Sequence, residues 1–76
     1  MDKRLVEISD EYITLGQFLK LTSIISSGGM AKPFLAQTEI YVNDIKENRR
    51  GKKLYDKDTI SIANIGDFEI KSTKEN

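Results

Sequence analysis

Cysteine and histidine are both missing from this 76-residue chain. Without cysteine there is no disulfide, no thiolate metal site and no thiol nucleophile. Without histidine the commonest general base and the commonest metal ligand are gone. The acidic residues are scattered and follow no calcium-loop pattern, so neither a metal nor a cofactor is expected. No spacing of carboxylates or lysines suggests a catalytic pair, and an enzyme is not expected. No apolar run exceeds three residues. That is too short for a membrane span, or for a signal peptide behind the basic start Met1-Asp2-Lys3-Arg4-Leu5. Cytoplasm is the default compartment.

The chain is 38% hydrophobic and 32% charged, with a formal net charge of zero. This composition suits one small soluble domain over residues 1–76. A chain of this size buries roughly 60% of the surface its unfolded form exposes, so the core is thin. A deep substrate cleft does not fit beside it.

Against that neutral background one stretch stands out, Asn48-Arg49-Arg50-Gly51-Lys52-Lys53. Between Lys46 and Lys57 there are six basic residues and two acidic ones, a local charge of +4. The remainder of the chain therefore carries −4. Clustered cations repel one another and add nothing to a core. They form either a solvated loop or a surface for an anion.

In chain order, Leu5-Val6-Glu7-Ile8 reads as a short strand, and Ser9-Asp10-Glu11 breaks it. Thr14-Leu15-Gly16-Gln17 fits a capping box. Leu15, Phe18, Leu19, Thr22 and Ile25 then recur at helical spacing, predicting a helix from Leu15 to about Ile25 with Lys20 off its apolar stripe. Ser26-Ser27-Gly28-Gly29 ends it, with glycines free to take positive φ. Ala31, Phe34 and Leu35 predict a second helix from about Met30 to Gln37. The single proline, Pro33, is tolerated only in its first turn. The Gly-Gly pair is either an anion site at a helix start or a plain tight turn.

Glu39 to Val42 alternates, and Asn43-Asp44 fits a tight hairpin turn. The return runs from Ile45 to Asn48. Beyond the basic cluster and Leu54-Tyr55, Asp56-Lys57-Asp58 is a turn. Thr59 to Ala63 is a strand, Asn64 to Asp67 a turn, and Phe68 to Lys71 a last strand. Residues 72–76 form a polar tail. The order predicts an α+β domain, with two short helices packed on one side of a small, mainly antiparallel sheet. The first and last strands are expected to be neighbours.

Several blocks together resemble the S4 RNA-binding domain. They are Ile13 to Lys20, Ser27-Gly28-Gly29-Met30-Ala31-Lys32, Val42-Asn43, and Asn48 to Tyr55. More narrowly, the chain is similar to the small single-domain S4 proteins of the YaaA type. The match covers about residues 12–62. It implies an S4-like helix-turn-helix on a small sheet, with structured RNA lying against the second helix, its preceding turn and the adjoining loops. It also implies a role tied to ribosomal RNA, in maturation of the large subunit. Carried over by position, Gly28, Gly29 and Lys32 fall in the matching turn and helix start. Arg49, Arg50, Lys52 and Lys53 fall in the matching basic segment. Pro33 stands where relatives tend to carry an aromatic residue, and Lys57 where glycine usually precedes the aspartate. Gln17 and Asp44 depart from the wider S4 pattern and fit the narrower group.

The candidate RNA-binding residues are therefore Lys20, Ser27, Gly28, Gly29, Lys32, Arg49, Arg50, Lys52 and Lys53. Lysine and arginine neutralise phosphates and release counterions, and backbone N–H groups can hold a further phosphate. The expected partner is structured RNA, ribosomal RNA or a ribosomal particle, bound by a monomer with no preference for DNA. Tyr41 and Tyr55 are candidates for base stacking, though a tyrosine on a small sheet is more often half-buried packing. The competing class is a protein-interaction adaptor, which the neutral net charge and acidic remainder favour slightly.

Overall fold

The structure, a computed structural model, describes residues 3–74. Its elements are β1 (Arg4–Ile8), β2 (Tyr12–Thr14), α1 (Leu15–Leu21), a 3-10 turn (Gly28–Met30), α2 (Ala31–Gln37), β3 (Ile40–Val42), β4 (Ile45–Lys46), β5 (Lys53–Tyr55), β6 (Thr59–Ile62) and β7 (Gly66–Ser72). Five strands form one sheet in the order β1-β7-β6-β3-β4. Among the described residues only the β1–β7 pair is parallel, so first and last strands are neighbours and the sheet is mainly antiparallel, as expected.

The alternation of β6 places Ile60 and Ile62 in the core and Ser61 in water. Phe68 and Ile70 do the same for β7. Phe18 of α1 meets Phe68 edge to face, with ring centroids 5.3 Å apart. Such a pair adds to the burial energy of both rings. Among the described residues no polar or charged side chain is buried, so the polar chemistry lies on the surface.

Helix α1 starts where the capping box places it. The Gln17 N–H donates to Thr14 Oγ1 at 3.2 Å, and the Thr14 N–H donates to Gln17 Oε1 at 2.9 Å. It ends at Leu21, a turn earlier than the periodicity predicts. The Thr22 hydroxyl donates back to the Phe18 and Leu19 carbonyls, and Ser23 turns left-handed with φ of 64°. The Ile24 and Ile25 N–H groups both return to the Leu19 carbonyl, which folds Ile25 under the helix and into the core. Its burial is as predicted although its helical conformation is not.

Helix α2 begins after the 3-10 turn, and Pro33 is its third residue. The proline lies in the first turn, where its missing N–H costs no helix bond. Ala31 and Leu35 are buried, but Phe34, one of the residues whose helical spacing predicts this helix and its packing, is only half-buried at the margin of the core.

The Asn43-Asp44 turn has φ of 52° and 69° at its two residues, the signature of a primed hairpin turn. Lys57 has φ of 73°, a left-handed conformation that glycine takes without strain. A second, two-stranded sheet pairs β2 with β5 in antiparallel register, a pairing the sequence did not announce. Ile13 and Leu54 point from it into the core, leaving Tyr12, Thr14, Lys53 and Tyr55 on its outer face.

Candidate nucleic-acid interface

The basic segment is a loop fixed by its backbone. The first N–H groups of α1 need acceptors from outside the helix. Thr14 supplies one, to Gln17. The loop supplies the others: the Leu15 N–H donates to the Lys52 carbonyl at 2.8 Å, and the Gly16 N–H to the Arg50 carbonyl at 2.9 Å. A turn closed by the Lys52 N–H on the Arg49 carbonyl, at 3.2 Å, presents these carbonyls. With its carbonyls turned to the helix, the loop keeps its side chains for the solvent. Arg49, Arg50 and Lys53 are exposed and Lys52 is partly so.

The cations are not equivalent. Glu47 takes three hydrogen bonds from Arg49, from the backbone N–H at 3.0 Å, Nε at 2.9 Å and a terminal nitrogen at 3.1 Å. These bonds pull the Glu47 carboxyl from its ordinary 4.5 to about 2, against the desolvation that raises it. The same contact raises the Arg49 guanidinium further. Arg49 is thus already paired with a carboxylate. Among the described residues Arg50, Lys52 and Lys53 form no salt bridge, and Lys53 lies over the Tyr12 ring. A shallow groove runs along this loop between Arg49, Gly51, Lys52, Lys53 and Tyr55.

The glycine turn lies on the far side of α1's first turn. At Gly16 a Cβ would sit 3.4 Å from Arg50 Cβ and 3.7 Å from Ala31 Cβ. The basic loop and the start of α2 therefore converge on one residue. Ala31 follows the Gly28–Met30 turn directly and precedes the exposed Lys32. Ser27 caps the turn by its position alone, without a side-chain bond. Gly28 and Gly29 do not take the positive φ they could, and a Cβ on either would meet nothing within 4 Å. Gly51 in the basic loop is alike in both respects. Among the described residues none of these three N–H groups meets an acceptor. The fold requires glycine at none of these positions. Lys20 falls elsewhere, on a groove lined by Ile8, Asp10, Ile13, Gln17 and Leu21, and is not gathered with the loop.

The tyrosines separate. Tyr41 donates from its hydroxyl to Glu39 at 3.2 Å, which raises its pKa, and it shares a groove with Lys3, Asp44 and Asp67. With three carboxylates around it against one lysine, Tyr41 suits a phosphate less. Tyr55 is beside the cations, with Tyr12 as its cross-strand partner. Tyr12 escaped the sequence reading because β2 did. The usable signal was the Tyr12-Ile13-Thr14 alternation, three residues long.

Comparison with known proteins agrees with this architecture. No solved structure matches the chain. It is 54% identical over 65 residues to the "Probable ribosome maturation protein RlbA" of Bacillus subtilis (strain 168), a span covering 86% of this chain and 92% of that relative. A family model described as "S4 domain" matches residues 6–71. The chain belongs to the S4 domain family.

Proposed function

We propose that this protein binds structured RNA, specifically ribosomal RNA of the maturing large subunit, as a cytoplasmic monomer. The contacts come from the Ser27-Gly28-Gly29 turn, Lys32, and the loop from Arg49 to Lys53. The role is binding and not catalysis. The observation that carries the proposal is the coincidence of bare backbone with unpaired cations. Among the described residues Gly51 leaves its N–H without an acceptor beside Arg50, Lys52 and Lys53, and Gly28 and Gly29 do the same ahead of α2, whose first residue meets the loop at Gly16. Such a surface suits phosphates that approach the backbone closely, with cations to release counterions. The ribosome-maturation name of the Bacillus relative supports the choice of ribosomal RNA.

The test is titration of labelled large-subunit rRNA fragments at several salt concentrations. About four neutralised phosphates give a log–log slope of roughly −3 to −4. Arg50→Glu with Lys52→Glu should remove most binding. Lys3→Glu with Lys71→Glu makes the same charge change on exposed residues away from the loop. If the second pair weakens binding as much as the first, attraction is diffuse and the localised site is wrong. A flat salt dependence would favour the adaptor reading.

A further inference from the structure

We propose that Tyr55, backed by Tyr12, is a stacking platform for one unpaired base of the bound RNA. The inference rests on the RNA-binding reading above and adds a class of ligand to it: a nucleotide out of its helix, not only a run of phosphates.

The β2–β5 ribbon is built as a platform. Its inner residues Ile13 and Leu54 are locked in the core, and its outer face carries the two rings. Tyr12 and Tyr55 are opposed in register, with centroids 5.5 Å apart and planes tilted by 45°. They stay 37% and 43% exposed, well outside the core. The Tyr55 backbone is held at both ends by Asp58. Its N–H donates to Asp58 Oδ2 at 2.7 Å, and its carbonyl accepts the Asp58 N–H at 3.0 Å. Among the described residues neither ring's hydroxyl has a hydrogen-bond partner, unlike that of Tyr41. A ring on so fixed a backbone, resting against Tyr12, gives its face to a ligand with little backbone ordering cost.

The position next to the cations selects a nucleotide as occupant. Lys53 Nζ lies 4.9 Å over the Tyr12 ring, covering one of its faces. Tyr55 divides two grooves, one shared with Arg49, Lys52 and Lys53 and the other with Glu11, Asp56 and Lys74, and it is the first that suits a nucleotide. A base laid on Tyr55 would have its own phosphate within the reach of those cations. An aromatic face beside lysine and arginine is the arrangement that holds unpaired bases without reading their sequence. A base still in an A-form helix cannot reach it, so the partner must offer a bulge, loop or end.

The test uses three labelled RNA hairpins: one with a single bulged adenosine, one with an abasic residue at the bulge, and one fully paired. Fluorescence anisotropy gives each affinity. The wild type should favour the bulged adenosine over the abasic hairpin by about 5- to 100-fold. Tyr55→Leu should lose that preference but keep its binding to the abasic and paired hairpins, and Tyr55→Phe should retain it. In Tyr55→Trp, the added indole should be quenched by the bulged adenosine and not by the abasic hairpin. Equal wild-type affinity for bulged and abasic hairpins, with steep salt dependence, overturns the platform and leaves RNA binding standing. If Tyr55→Leu weakens all three equally, the ring is structural and the platform is again wrong. If no hairpin or rRNA fragment binds at any salt concentration, the RNA-binding reading falls and the platform falls with it.

Discussion

Replacing Gly28, Gly29 and Gly51 together by alanine should make the protein more stable and a poorer RNA binder. None of the three has a positive φ, and among the described residues a Cβ on any of them meets no atom within 4 Å. The added methyl groups cost nothing in the folded state and restrict the unfolded chain, which is worth about 0.4–1 kcal/mol at each site. Roughly 1–3 kcal/mol in total should raise the melting temperature by at least about 4 °C in a domain of this size. RNA meets the same methyls as obstacles. If one phosphate loses its bond to an uncovered N–H, about 1.5–3 kcal/mol of a charge-assisted hydrogen bond goes with it. That corresponds to a fall in affinity of roughly 10- to 150-fold. Thermal melting by circular dichroism and anisotropy titration of an rRNA fragment read the two effects separately. The reasoning fails if the triple variant melts below wild type, because the fold would then need these glycines. It fails equally if affinity is unchanged while stability rises.

Other substitutions test the fold and its electrostatics. Phe18→Ala opens a cavity against Phe68 and should cost about 3–5 kcal/mol, whereas Phe34→Ala, at the half-buried margin, should cost about half as much or less. Equal losses of melting temperature would contradict that ranking. Glu47 has its carboxyl lowered from 4.5 to about 2, so its pairing with Arg49 supports the fold fully above 4.5 and is lost as pH falls toward 2. Carboxyl NMR should show a midpoint near the lower value, and Arg49→Ala should return it to the ordinary range; no movement would mean that Arg49 is not the cause. Lys57→Gly should relieve the left-handed backbone and raise the melting temperature slightly, and a clear decrease would show that the lysine side chain is needed.

Apart from the neighbouring of the first and last strands, what could be read from the sequence was local. The Thr14–Gln17 capping box, the Asn43-Asp44 turn and the alternation of Thr59 to Ile62 each need only neighbouring residues, and each appears as expected. The end of α1 was not legible, because the Thr22 hydroxyl and the left-handed Ser23 stop the helix without a glycine or proline to mark it. The β2–β5 ribbon was invisible for a different reason. Each strand is three residues long, and the partners Ile13 and Leu54 are far apart in the chain. The cationic segment was conspicuous as a composition anomaly, but the division of labour within it was not. Arg49 is engaged by Glu47 through a contact two residues apart that no charge count distinguishes from free cations. The uncovered glycines needed coordinates too, since a glycine in a sequence does not say whether the fold or the ligand requires it.

The capping of α1 by the Arg50 and Lys52 carbonyls ties the shape of the loop to the integrity of a helix it is not part of. The amide hydrogens of Leu15 and Gly16 are therefore reporters of the loop's opening. They should exchange with solvent when the loop lifts, even while the rest of α1 stays closed. A ligand that clamps the loop should slow both of them in step, and one that pulls it away should quicken them. Two resonances at the head of a helix thus record, in exchange rate, whether the cationic surface is held ready beforehand or assembled on arrival.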